Sequence, residues 1–97
     1  MKKIIESNYQ SIVDRGLIAP YTNLHNFLHK IREEVDELEI GVLVDHERGE
    51  VSDYTKQEIA DVIMVCLNMA RHFDIDIEKE IKNKIKINEQ RATTTRK

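Results

Sequence analysis

Glu58-Ile59-Ala60-Asp61-Val62-Ile63-Met64-Val65-Cys66-Leu67-Asn68-Met69-Ala70 is the stretch that decides the fold. From Ile59 to Ala70 every residue is apolar except Asp61 and Asn68. Strand-like alternation is absent, so the run reads as a helix buried on most sides. On a wheel turning about 100° per residue, Glu58, Asp61, Asn68 and His72 fall in one narrow stripe. A solvent-facing stripe would be wider and richer in lysine. Two carboxylates therefore sit at the edge of a buried helix, facing something that accepts them.

Working outward, this third helix starts near Thr55 and runs to about Phe73, and three more helices surround it. The first covers roughly Lys3 to Asp14, with Ile5, Tyr9 and Ile12 on one face and Gly16 suited to the stop. Pro20 breaks the chain, and Thr22 is the expected N-cap of the second helix. In that helix Leu24, Leu28, Ile31, Val35, Leu38 and Val42 recur at spacings of three and four, predicting one apolar stripe that ends near Asp45 to Gly49. Asp74 or Asp76 caps a fourth helix through Ile77, Ile81 and Ile85. The expectation is an all-α protomer of about four helices, a single helical domain over residues 1–91 with a flexible tail over 92–97. Helices two and three should form an antiparallel pair that completes a bundle with a partner subunit.

Composition supports that frame. The 97 residues are 40% hydrophobic and 34% charged, which is far from a disordered profile. A chain this short buries little of its own surface, so a homodimer or homotetramer is expected. The net charge of −3 argues against a general nucleic-acid binder. Charge is uneven, however: Lys82, Lys84, Lys86, Arg91, Arg96 and Lys97 face only Glu89 after residue 81. Cys66, the only cysteine, lies in an apolar run and reads as a buried, inert thiol. Met1-Lys2-Lys3 is followed by only two apolar residues, unlike a signal peptide, and Val62 to Leu67 is too short to span a bilayer. A cytoplasmic protein without membrane contact is expected.

The second helix carries Glu33-Glu34-Val35-Asp36-Glu37. Glu34 and Glu37 are neighbours on the helix surface, and Glu58 and Asp61 repeat that spacing on the third helix. Antiparallel pairing would bring the two acidic pairs together. Clustered carboxylates repel and are costly to desolvate unless they protonate or share a cation. A hard, oxygen-seeking ion suits a donor set without Cys or His, which points to magnesium. Blander roles exist for some of these acids. Glu33, Asp36 and Glu37 suit a solvated face paired with Lys30 or Arg32. Thr55-Lys56-Gln57-Glu58 matches a capping box in which Glu58 only reaches back to the N-cap amide. Asp61, ahead of a six-residue apolar run, has no such role.

Together these residues resemble a known family. Glu33-Glu34-Val35-Asp36-Glu37, then Glu58-Ile59-Ala60-Asp61, then Lys84-Ile85-Lys86-Ile87-Asn88-Glu89-Gln90-Arg91 is similar to the EExxE…ExxD…KxxxNxxR pattern of the MazG-like all-α NTP pyrophosphohydrolases. The resemblance spans about residues 24 to 91. It implies Glu34, Glu37, Glu58 and Asp61 as ligands of magnesium, or of manganese in its place. It implies Glu33 as the residue that positions or deprotonates the attacking water, and Lys84, Asn88 and Arg91 as phosphate contacts. The last three also share one helix face by spacing, although a basic helix end favoured by the macrodipole explains them too. The activity implied is hydrolysis of a nucleoside triphosphate to monophosphate and pyrophosphate, in nucleotide-pool housecleaning. A phosphoribosyl-ATP pyrophosphohydrolase ranks lower, because Asp61 is followed by Val62-Ile63 where that enzyme typically has Tyr-His. A non-catalytic dimerisation module with a structural ion is the alternative from another class. Tyr9, Tyr21 and Phe27 are candidates to stack on a base, but core or loop packing explains each of them better.

Overall fold

The computed structural model describes residues 1–95. Helix α1 covers Lys2–Asp14, α2 Leu24–Arg48, α3 Asp53–His72 and α4 Ile77–Thr95, and no strand occurs among the described residues. The fold is all-helical, as expected from the sequence. Helix α4 carries on through Thr95, past the expected domain edge at residue 91. Arg96 and Lys97, the end of the expected tail, lie outside the described residues.

Helices α2 and α3 form the central antiparallel hairpin, and α1 packs on α3. The turn between them is fixed by polar groups. Gly49 adopts φ +73°, which a side chain would oppose, and its N–H donates to the Asp45 carbonyl. The Asp45 carboxylate accepts from the Ser52 backbone N–H at 2.9 Å and from the Ser52 hydroxyl at 3.1 Å. Hydrogen bonds from Thr55 first, and then from Ser52, hold the Asp45 carboxyl below its usual range.

Two expected caps move. Asn23, rather than Thr22, caps α2 through a reciprocal capping box with Asn26. Thr22 instead accepts from the Ala19 N–H, closing the turn that contains Pro20. Ser52, rather than Thr55, caps α3 by accepting from the Thr55 N–H. Glu58 therefore has no capping duty and is released for another role.

The expected apolar stripe of α2 also shifts by one position. Phe27, Ile31, Glu34, Leu38, Gly41 and Asp45 make the buried or half-buried seam, at alternating spacings of four and three. Leu24, Leu28, Val35 and Val42 are exposed. Thr55, Glu58, Val62, Val65, Met69 and His72 answer from α3 with the same heptad-like spacing. Gly41 lets the helices approach: a Cβ there would collide with Thr55 Oγ1 and press on the Tyr54 ring. Cys66 is exposed rather than buried, because the wide apolar run of α3 includes a face that the other described helices do not cover.

Helix α1 is held by named polar contacts. Tyr9 donates to His72 Nδ1 at 2.8 Å while His72 Nε2 donates to the Thr22 carbonyl at 2.9 Å, and Glu6 pairs with Arg71. Phe27 packs edge-on against Phe73 beside the same imidazole. Helix α4 is different: Asp76 caps its start, yet among the described residues no substantial packing joins it to another helix. The radius of gyration is 16.4 Å, against about 13 Å for a compact domain of this length.

Candidate metal centre

Midway along the hairpin the two seams meet at acids. Glu34 on α2 and Glu58 on α3 are both 8% exposed, although each is an acid whose solvation is costly to lose. Their placement follows from the heptad: Glu34 lies one heptad beyond Phe27, and Glu58 one turn beyond Thr55. Glu37, a turn further along α2, lies at the exposed edge. One carboxylate oxygen from each of Glu34, Glu37 and Glu58 lies within 4.8 Å of the others.

Glu58 is the most constrained member. Its Oε2 is buried and has no hydrogen-bond partner among the described residues. Burial pushes its carboxyl above the usual range, and Glu37 adds to the rise by hydrogen bonding and by charge. Asp61 and Glu34 add smaller repulsions. A hydrogen bond between two carboxyls needs a shared proton, so without a counter-ion the cluster relieves itself by binding one. Tyr54 reports the same field. Its hydroxyl, which donates to the Glu37 carbonyl, is held above its ordinary value by burial and then by Glu58 and Glu37.

Of the four expected ligands, the structure thus gathers three into one oxygen cluster. Asp61 is half-buried on the next turn of α3, outside that trio, and acts on Glu58 through its charge. Glu33 is exposed on the neighbouring face of α2, 3.2 Å from His29 Nε2 and 3.5 Å from Lys30 Nζ. Lys84, Asn88 and Arg91 are exposed on α4, away from the packed helices.

Lys30 has no part in the expected site, yet it borders the cluster. Its Nζ lies 3.2 Å from Glu34 Oε1. The hydrogen bond to Glu34 raises the Lys30 pKa, against a smaller lowering from burial. The i, i+4 spacing of Lys30 and Glu34 was readable, but the same spacing fits any surface pair. Asp45, which the sequence places in the polar stretch ending α2, joins the buried seam instead, and Asn68, on the polar stripe read from spacing, is buried and accepts from Asn8.

The residues present fit a hard divalent cation. They offer three carboxylates, one burdened with an orphaned buried oxygen, at a distance that an oxygen-ligated ion can bridge directly or through water. Compared with known proteins, the chain matches no family model, no curated protein and no solved structure.

Proposed function

We propose that this protein is a divalent-metal-dependent nucleoside triphosphate pyrophosphohydrolase of the MazG-like kind, cleaving the α–β phosphoanhydride. The observation that carries the reading is Glu58, buried among like charges with an oxygen that no group among the described residues satisfies. A merely solvated acidic face would leave it in water. Resemblance supplies the reaction class, and the acid geometry supplies the place for the metal.

Glu34, Glu37 and Glu58 would hold magnesium, and Asp61, on the following turn, would add its charge nearby. Magnesium bound there neutralises phosphate charge and makes water a stronger nucleophile. Glu33, at the open rim, accepts the proton of the attacking water. The water oxygen bonds to the α-phosphorus as the α–β bridging P–O bond breaks in line, and pyrophosphate leaves. Lys30, 3.2 Å from Glu34 Oε1, holds that carboxylate in position.

Assembly belongs to the same proposal. The protomer exposes 7792 Å², against about 5,800 Å² for a compact monomer of its mass. Leu28, Val35 and Val42 on α2 and Ile59 and Ile63 on α3 leave an apolar face uncovered beside the acid cluster. A second copy covers that face in a homodimer or homotetramer. Lys84, Asn88 and Arg91 reach the phosphates once α4, with exposed Ile81, Ile85 and Ile87, docks in that assembly.

The test is a panel of ribo- and deoxyribonucleoside triphosphates, with and without chelator, read as monophosphate and pyrophosphate. The expected result is chelator-sensitive release of both. Release of diphosphate and orthophosphate would contradict the assigned bond, and phosphoribosyl-ATP in the panel separates the neighbouring activity. A magnesium-dependent rise in melting temperature with no turnover would leave only a structural ion.

A further inference from the structure

Lys30, Glu34 and Glu37 follow one another along one face of α2, at positions i, i+4 and i+7. Lys30 Nζ reaches Glu34 Oε1 from the turn before it, at 3.2 Å, and lies 3.5 Å from Glu33 Oε2. Glu37 flanks Glu34 from the turn after. Among the described residues Lys30 is the one cation ion-paired with a member of the oxygen trio, and no such partner meets Glu37 or Glu58. The protein therefore carries a single charge of its own beside a cluster suited to a double one.

The two ends of this ion pair differ in freedom. The Glu34 side chain is 10% exposed and fixed in the seam, whereas that of Lys30 is 54% exposed. Lys30 can give up the contact for water at little cost, because exposed ion pairs contribute little. Glu34 cannot follow it. Lys30 and Glu33 also line a cavity of about 290 Å³ between the loop after α1, α2 and α3. An ammonium that leaves Glu34 stays on its stem at the edge of that cavity, with Glu33 as its remaining partner.

A magnesium ion on Glu34 lies about 2.1 Å from its carboxylate oxygen. An ammonium still 3.2 Å from that carboxylate would then stand about 5 Å from the ion. A single and a double positive charge at that distance weaken metal binding by roughly five- to tenfold, even through water and salt. The order that one i, i+4 pair lends to Glu34 amounts to about twofold in the other direction. Repulsion wins, so the ion pair and the metal oppose each other. We propose that Lys30 is a tethered counter-ion of the centre, holding Glu34 while the site is metal-free and expelled from it when a divalent cation binds. The proposal rests on the metal site of the pyrophosphohydrolase reading and adds a control on that site. The side chain that keeps Glu34 in register also holds metal affinity down.

The experiment titrates magnesium into the full chain by calorimetry, comparing wild type with Lys30→Met and Lys30→Arg at one neutral pH and low ionic strength. Lys30→Met keeps an unbranched stem and removes the charge, so it should bind magnesium roughly five- to tenfold more tightly. Lys30→Arg keeps the charge and should bind as wild type does, which separates charge from packing. Added salt should narrow the gap between wild type and Lys30→Met. In isotope-labelled wild type, the Lys30 Cε resonance should move with the same half-saturation as the heat. Binding that is weaker or unchanged in Lys30→Met, or a Lys30 signal unmoved at saturating magnesium, would overturn the proposal and leave Lys30 a support for Glu34 alone. Triphosphate turnover is measured on the same preparations. Tighter binding in Lys30→Met without turnover in any protein keeps the counter-ion and rejects the hydrolase; turnover with equal affinities does the reverse.

Discussion

The α2–α3 hairpin and α4 are built by opposite rules. In the hairpin, each polar seam residue is specified by several neighbours: Asp45 by Ser52 and Thr55, Gly41 by the approach of Thr55 and Tyr54. Glu34 and Glu58 are held in register between those points and Phe27. Helix α4 has a capped start with Glu78 and Glu80 in its first turn, which suit the macrodipole, but it lacks a packed face. A lone helix of 19 residues is only marginally stable in water. The difference separates a packed holder for charge from an arm that the other described helices leave without substantial packing.

Substitutions sharpen that division. The largest effect is expected at the holder: Glu58→Gln should lower kcat/KM by at least about 100-fold, the scale of loss seen even for outer partners of a metal. The metal-free melting temperature should hold or rise, because one repelling charge is gone. A fall in stability together with retained turnover would assign Glu58 to folding alone. On the arm, Lys84→Ala should lower kcat/KM by about 10- to 100-fold, the value of a charge-assisted hydrogen bond of roughly 1.5–3 kcal/mol, without a change in melting temperature. If the arm serves a partner's acids, mixing Glu58→Gln protein with Lys84→Ala protein should restore part of the activity. Strictly additive inactive mixtures would place both halves of the site in one chain.

Two smaller effects probe why the hairpin holds. Gly41→Ala puts a methyl against Thr55 Oγ1, whose rotation is limited by its hydrogen bonds, and should cost about 1–3 kcal/mol in denaturant unfolding. Ser52→Ala removes the α3 cap and should cost about 1 kcal/mol.

The pH dependence separates two acids of the same hairpin. Asp45 has a lowered pKa, so its stabilisation is present above the ordinary aspartate value and is lost as pH falls through the lowered one. Glu58 has a raised pKa, so its contribution is full below the ordinary glutamate value and is lost as pH rises through the raised one. The metal-free protein should therefore melt highest in mild acid, between those windows. Magnesium should move that maximum upward in pH, because it competes with the proton on Glu58. Melting curves across pH, with magnesium and with chelator, check both signs.

The helices and the acid pairing were legible because spacing alone decides them. Helical period placed Glu34 and Glu37 as neighbours and put Glu58 on the stripe of α3 that faces α2. The seam of α2 was misread because hydrophobicity marks a buried face only when that face is apolar. Here Glu34, Gly41 and Asp45 occupy three of its six positions, while Leu28, Val35 and Val42 look outward. Caps were misread where two adjacent residues could both serve, as at Thr22 and Asn23. The orientation of Asn68 was not readable at all, since it depends on Asn8 and on the Met64 carbonyl, brought together only by the packing of α1 on α3.

Magnesium titration of the wild-type chain by calorimetry, at neutral pH and again in mild acid, tests the central claim most directly. Saturable binding that weakens with acidity and disappears in Glu58→Gln is the expected result. Heats that are featureless at both pH values, or binding unchanged by Glu58→Gln, would contradict it.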